Sequence, residues 1–293
     1  MKRKMIRALS VSLALMSALL SPNLLAADIL TATPVTYMLA TELTKGTDIT
    51  TQYLPPKRYS LSRLPNWFSS KGAKFTAQAA AKAKVSITLS AVWPQEPLFV
   101  HAREGNIHMI EIDASQAISP RAQGVAALRL EDGSISPYTW LNPTNLTRMA
   151  AIVSQDLQQV WPQQAAIIAR NQQTLMMSVR QLINQQQAML LGNGIDTVVL
   201  LSRELEDFAS GNQLFVLERF NKPALEWTAA DKQRFAALLA DEPDVWVLTA
   251  KRVSNELKAL MPESTRILTI DSIDRWGRGI NKHKPLQRWQ LAL

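Results

Sequence analysis

Along the chain, short runs rich in β-branched residues alternate with longer stretches whose apolar residues recur every three or four positions. Residues 29–33, 48–54, 85–89 and 107–112 read as strands, and 35–43 and 66–83 as helices. Alternation of this kind predicts βαβ units around a largely parallel sheet. The middle of the chain differs. Residues 144–160 form one predicted helix, opened by Asn142-Pro143 and closed at Trp161-Pro162, because Pro disfavours helix in the residue before it. Pro162 is tolerated in the first turn of a second helix. That helix carries apolar residues at Ile167, Ile168, Leu175, Met176, Val179, Leu182 and Ile183. From residue 163 to 190 it would be roughly 40 Å long, and Gly192-Asn193-Gly194 stops it. Alternation then resumes, with strands at 197–201, 214–217, 245–249 and 266–270 and helices at 203–210, 228–240 and 253–260. Thr228 and Asp231 have the spacing of a capping box. The expected fold is α/β: two βα lobes joined by one long backbone helix, with a ligand cleft between the lobes. The first lobe is expected over residues 27–161, the connecting helix over 162–191 and the second lobe over 192–293. No sequence repeat relates the two.

The first residues change the picture of charge and destination. Lys2, Arg3, Lys4 and Arg7 precede an apolar run from Ala8 to Leu20, broken by Ser21-Pro22-Asn23 and followed by small residues at Ala26 and Ala27. That order is the signal-peptide pattern and places a secretion signal at residues 1–26. The run of about thirteen residues is too short to span a bilayer as a helix. Those four basic residues account for half of the formal net charge of +8, leaving +4 for the remainder. The other basic residues are scattered, with a mild excess from Arg275 to Lys284 that reads as a solvated surface rather than a nucleic-acid patch. With no Cys there is no disulfide and no thiolate metal site. No second apolar stretch reaches spanning length. The expectation is a periplasmic, soluble, monomeric protein.

No catalytic motif stands out. His-Glu-x-x-His, Gly-x-Ser-x-Gly and a phosphate-binding glycine loop are all missing. The expectation is a protein that is not an enzyme.

Four local segments, in order, resemble the periplasmic solute-binding proteins of zinc and manganese ABC transporters. Leu54-Pro55-Pro56 followed by Pro65 is similar to that family's loop after an early strand. Residues 136–143, Ser-Pro-Tyr-Thr-Trp-Leu-Asn-Pro, are similar to its Pro-His-x-Trp-Leu-x-Pro segment. Residues 197–208 are similar to the strand, ligand and helix that open its second lobe. Ile267-Leu268-Thr269-Ile270-Asp271 is similar to its last strand, which ends in a ligand Asp. The resemblance covers nearly the whole chain beyond the signal. It implies a receptor that holds a divalent metal, zinc or manganese, as transported solute and presents both lobes to an ABC transporter permease.

The family's ligands are three His and one carboxylate. Carried over position by position, the first His falls on Leu61, the second on Tyr138 and the third on Ser202; only the carboxylate survives, as Asp271. Leu61 has no donor atom, Ser202 offers a neutral hydroxyl, and Tyr138 would have to ionise against a reference pKa near 10. A metal would have Asp271 at best, with Tyr138. Each position has a second reading. Leu61 suits core packing, Tyr138 a packed aromatic, Ser202 a helix N-cap and Asp271 a turn cap. Glu204, Glu206 and Asp207 read as a solvated first helical turn. His101 and His108, two of the three His in the chain, flank a turn at Gly105-Asn106 and match no ligand position. The expected function is the solute-binding component of an importer with a degenerate metal site. The alternatives are a secreted accessory protein on the same scaffold and a binder of a non-metal small solute.

Overall fold

The computed structural model describes residues 27–116 and 124–293. The expected secretion signal at residues 1–26 lies outside the described residues.

The first lobe begins with β1 (Ile29–Thr31), buried throughout. Helix α1 (Pro34–Leu43) follows at once. Thr33 caps it by accepting from the Thr36 N–H, and Pro34 sits in the first turn, where its missing N–H is not needed. Then come β2 (Thr51–Tyr53), α2 (Leu64–Phe68), α3 (Ala73–Ala80), β3 (Val85–Thr88), α4 (Leu98–Gly105) and β4 (Ile110–Asp113). All pairings are parallel, in the order β2-β1-β3-β4.

Two details differ from the sequence reading. The single helix expected over 66–83 is broken at residues 69–72. The chain folds back so that Gly72 lies on the Trp67 ring, where an added Cβ would come within 2.6 Å of ring carbon. Helix α4 falls where no element was anticipated, and the strand expected from residue 107 starts at Ile110. A tight turn takes up the difference: the Asn106 side chain accepts from the His108 N–H at 3.0 Å.

Helix α5 (Pro143–Val160), a single 3₁₀ turn at Pro162–Gln164 and α6 (Ala165–Gly192) form the helical middle of the molecule. At 28 residues, α6 is about 42 Å long. Its buried positions, Ile168, Leu175, Val179, Leu182, Gln186 and Leu190, keep three- and four-residue spacing and form one stripe. That stripe packs on α5 and α1.

The second lobe contains β5 (Thr197–Leu200), α7 (Glu206–Gly211), β6 (Phe215–Arg219), α8 (Ala229–Asp241), β7 (Trp246–Thr249), α9 (Asn255–Lys258) and β8 (Arg266–Thr269). The capping box at Thr228 and Asp231 forms as its spacing predicts. The sheet order is β6-β5-β7-β8, again all parallel. Both lobes therefore have the same strand order, although no sequence repeat announces it. In such sheets ligands are taken outside the carboxyl ends of the strands, where the order reverses. Those points lie after β1 and β3 in one lobe and after β5 and β7 in the other.

After β8 the chain returns towards the first lobe. Gly277 donates its N–H to the Lys57 carbonyl at 2.9 Å. Among the described residues no helix is long and apolar enough to cross a membrane.

Candidate functional site

The four positions carried over from the resemblance have different fates. Leu61 opens a 3₁₀ turn (Leu61–Arg63) and is buried in the core with Leu54 and Leu64. It packs in the core. Tyr138 precedes the turn Thr139–Leu141, with its ring 5.3 Å from that of Trp140. Burial, reinforced by the charges of Glu204 and Asp274, pushes its hydroxyl far above the ordinary tyrosine value. That direction favours the neutral phenol.

Ser202 lies directly after β5, at the N-cap position of the turn Arg203–Leu205. Its side chain makes no capping bond there. Instead Oγ accepts the Ala250 N–H at 2.9 Å, joining the loop after β5 to the loop after β7. Asp271 follows β8 and does cap a turn, with Oδ1 accepting the Ile273 N–H at 2.9 Å. Its main partner is one the sequence did not suggest. Arg288 donates from Nε to Oδ2 at 2.8 Å and from Nη2 to Oδ1 at 2.9 Å. Burial raises the Asp271 pKa, but the Arg288 hydrogen bonds and charge outweigh it and hold the carboxyl below its usual range.

Tyr138 and Ser202 are thus brought to one place, as joint walls of a cavity, while Leu61 and Asp271 line other surroundings. A hydrogen bond links the two areas: Trp140 Nε1 donates to the Ser272 carbonyl at 3.0 Å.

Three residues missed in the sequence organise the face between the lobes. Trp276 stands between Tyr37 on α1 and Tyr53 on β2, with ring centroids at 4.8 and 4.5 Å. Arg288 Nη1 donates to the carbonyls of Arg275 and Trp276 at 3.0 and 3.1 Å, fixing the loop that carries the indole. Trp289 donates from Nε1 to the Trp140 carbonyl at 2.9 Å and accepts from Gln186 of α6 at 2.7 Å. The hint in the sequence is two Arg-Trp pairs, Arg275-Trp276 and Arg288-Trp289, inside polar stretches. The same loop holds Ile273 at φ 54°. A β-branched residue is strained in that region and stays there only where its surroundings dictate it. Here the Asp271 carboxylate and complete burial of Ile273 do so.

Glu206 and Asp207 are not solvated, as the sequence reading had them. Both are buried. Glu206 accepts from Arg219 Nε and Nη2 at 2.8 and 3.2 Å. For Asp207 burial outweighs a hydrogen bond from Ser136 and raises the pKa to about 6. In the first lobe, Glu96 accepts the Leu89 N–H at the end of β3 and is fully buried near Asp113 and Glu111. Burial is the main reason its pKa rises to about 8. His101 pairs with Glu104 on α4 at 3.0 Å and stacks on Phe68. Among the described residues no group of three or more His, Asp or Glu is arranged to hold a metal ion.

Comparison with solved structures decides the architecture. ZnuA superposes with a TM-score of 0.64 at 16% identity, over 85% of this chain and 92% of its own. The fold is that of ZnuA. A zinc-bound deletion mutant of ZnuA gives 0.62 at 15% identity, covering 85% of this chain and 91% of that one. The solute-binding protein FpvC of Pseudomonas aeruginosa, in complex with Ni²⁺, gives 0.61 at 12% identity, covering 85% and 88%. No protein-family model matches the chain, and no curated protein matches it. Two parallel-sheet lobes on a long helix, the fold class expected from the residues and their resemblance, are the fold observed.

Proposed function

We propose that this chain is the periplasmic solute-binding component of an ABC importer, built on the ZnuA fold with its inherited metal site degenerate. The fold supports the receptor role: a cavity at the carboxyl ends of the second sheet is walled by Tyr138 of the first lobe, and the solved structures with this architecture include zinc- and nickel-bound proteins. One observation carries the degeneracy. The surviving carboxylate, Asp271, is held at both oxygens by Arg288, so a guanidinium supplies the positive charge there. A zinc site needs imidazole, thiolate or carboxylate donors, usually four in a closed site. Leu61, a neutral Tyr138 and a Ser202 whose Oγ already accepts the Ala250 N–H do not make up that number. Binding, with no chemistry on the solute, is the activity proposed. The site candidates become Tyr138 and Ser202, with Asp271 as a structural anchor.

The test is a thermal melt with Zn²⁺ and with Mn²⁺. A ligand at a hundred times its dissociation constant stabilises by about 2.7 kcal/mol. The expected result is no shift with either ion. A saturable shift with one of them defeats the degenerate-site reading. Co-purification with an ABC transporter permease tests the transport role separately.

A further inference from the structure

A cavity of about 720 Å³ opens at the carboxyl ends of β5, β6 and β7. Leu201 and Ser202 reach it from β5, Asn221 and Lys222 from β6, and Thr249 and Lys251 from β7. This is the point where the strand order reverses, the place where open α/β sheets take their ligands. Its volume is in the range of small-molecule sites. Tyr138 closes one wall from the first lobe, so an occupant would touch both halves.

The lining has two parts. Trp227, Val253 and Leu257, nearly buried, make an apolar floor. Trp227 is fixed there: Nε1 donates to the Lys222 carbonyl at 2.9 Å, and its ring packs 5.1 Å from those of Phe220 and Phe235. The charged part is cationic. Arg203, Lys222, Lys232, Lys251 and Arg252 line the cavity against only Glu204 and Glu256. Arg203 is tied to Asp132 at 2.7 Å, and Lys251 is 3.5 Å from Glu204. Lys222, Lys232 and Arg252 form no salt bridge among the described residues. A cavity whose cations outnumber its carboxylates and whose floor is a fixed indole with aliphatic neighbours disfavours metal ions and organic cations, and it favours an anion with an apolar body.

We infer that this cavity binds a small amphipathic organic anion, its acidic head against Lys222, Lys232 and Arg252 and its apolar body over Trp227, Val253 and Leu257. The Tyr138 hydroxyl donates a further hydrogen bond to the head or to a polar group beside it. This names a solute class for the proposed receptor and rests on that reading for its biological role, while the chemistry of the cavity stands by itself.

The test is isothermal titration calorimetry of the full chain with octyl phosphate, below its micelle concentration, against octylamine and inorganic phosphate. Octyl phosphate is expected to bind one to one and saturably, and to change the tryptophan fluorescence. Octylamine is expected not to bind, and inorganic phosphate to bind at least tenfold more weakly. The double variant Lys222→Ala/Arg252→Ala, altered only on exposed side chains, should lose at least tenfold in affinity for octyl phosphate. Absence of saturable octyl phosphate binding, equal affinity in the double variant, or octylamine binding as tightly would each overturn the assignment. A zinc-induced shift would sink the degenerate-site reading and leave these results standing, so the two failures are distinguishable.

Discussion

Arg288 grips Asp271 through Nε and Nη2, at 2.8 and 2.9 Å, across seventeen residues of sequence. The side chain of Arg288 is only 9% exposed and that of Asp271 29%. The two groups are complementary in shape as well as charge, since a guanidinium fork matches a carboxylate bidentately.

Removing the fork leaves a largely desolvated carboxylate and frees the Arg275–Gly277 loop. Arg288→Ala should cost about 2–3 kcal/mol in urea unfolding at neutral pH. The loss should shrink in acid. The folded Asp271 pKa lies below its unfolded value, so its contribution is present above the unfolded value and disappears as pH falls through the folded one. The gap between wild type and Arg288→Ala should narrow as the pH drops below about 4, leaving the part due to the Arg275 and Trp276 carbonyls. A gap that stays constant down to the acid transition contradicts the ion-pair account.

Glu96 behaves in the opposite sense. Its folded pKa, about 8, lies above the ordinary glutamate value, so its contribution is intact below that ordinary value and is lost as pH rises through 8. Glu96→Gln keeps an acceptor for the Leu89 N–H and removes the charge. The substitution should be close to neutral near pH 5 and stabilising near pH 9, read from urea midpoints at the two pH values. Equal effects at both would show that Glu96 is not titrating in this range.

On the first-lobe side the Trp276 ring packs against Tyr37 and Tyr53. Trp276→Ala gives up its packing between Tyr37 and Tyr53 and should lower stability by about 2 kcal/mol. Trp276→Phe should recover roughly half of that, since an aromatic ring remains. Thermal melts of the two variants check the order.

The fold was legible because its signals are local. The three- and four-residue spacing from Ile168 to Leu190, the Trp161-Pro162 break and the Thr228–Asp231 capping box each act within a few residues, and each formed as read. Helix α4 was not legible: eight residues with two buried positions carry too little periodicity. The break at Gly72 depends on the Trp67 ring, which sequence spacing alone does not place. The candidate site was legible only in part. Tyr138 and Ser202 could be carried over from a motif and do share a cavity. The partner of Asp271 could not be found that way, because Arg288 lies seventeen positions further on and reaches it only after the chain has turned back, and nothing in local pattern encodes that return. The burial of Glu206 and Asp207 was hidden for the same reason, since the Arg219 and Ser136 that receive them come from other elements.

One chain of hydrogen bonds passes from Gln186 in the long helix to Trp289, from Trp289 to Trp140 in the first lobe, and from Trp140 to Ser272 after the last strand. Each link crosses more than a hundred residues of sequence. Parting the halves breaks all three links, so calorimetry should record a single cooperative endotherm in place of two independent melting events.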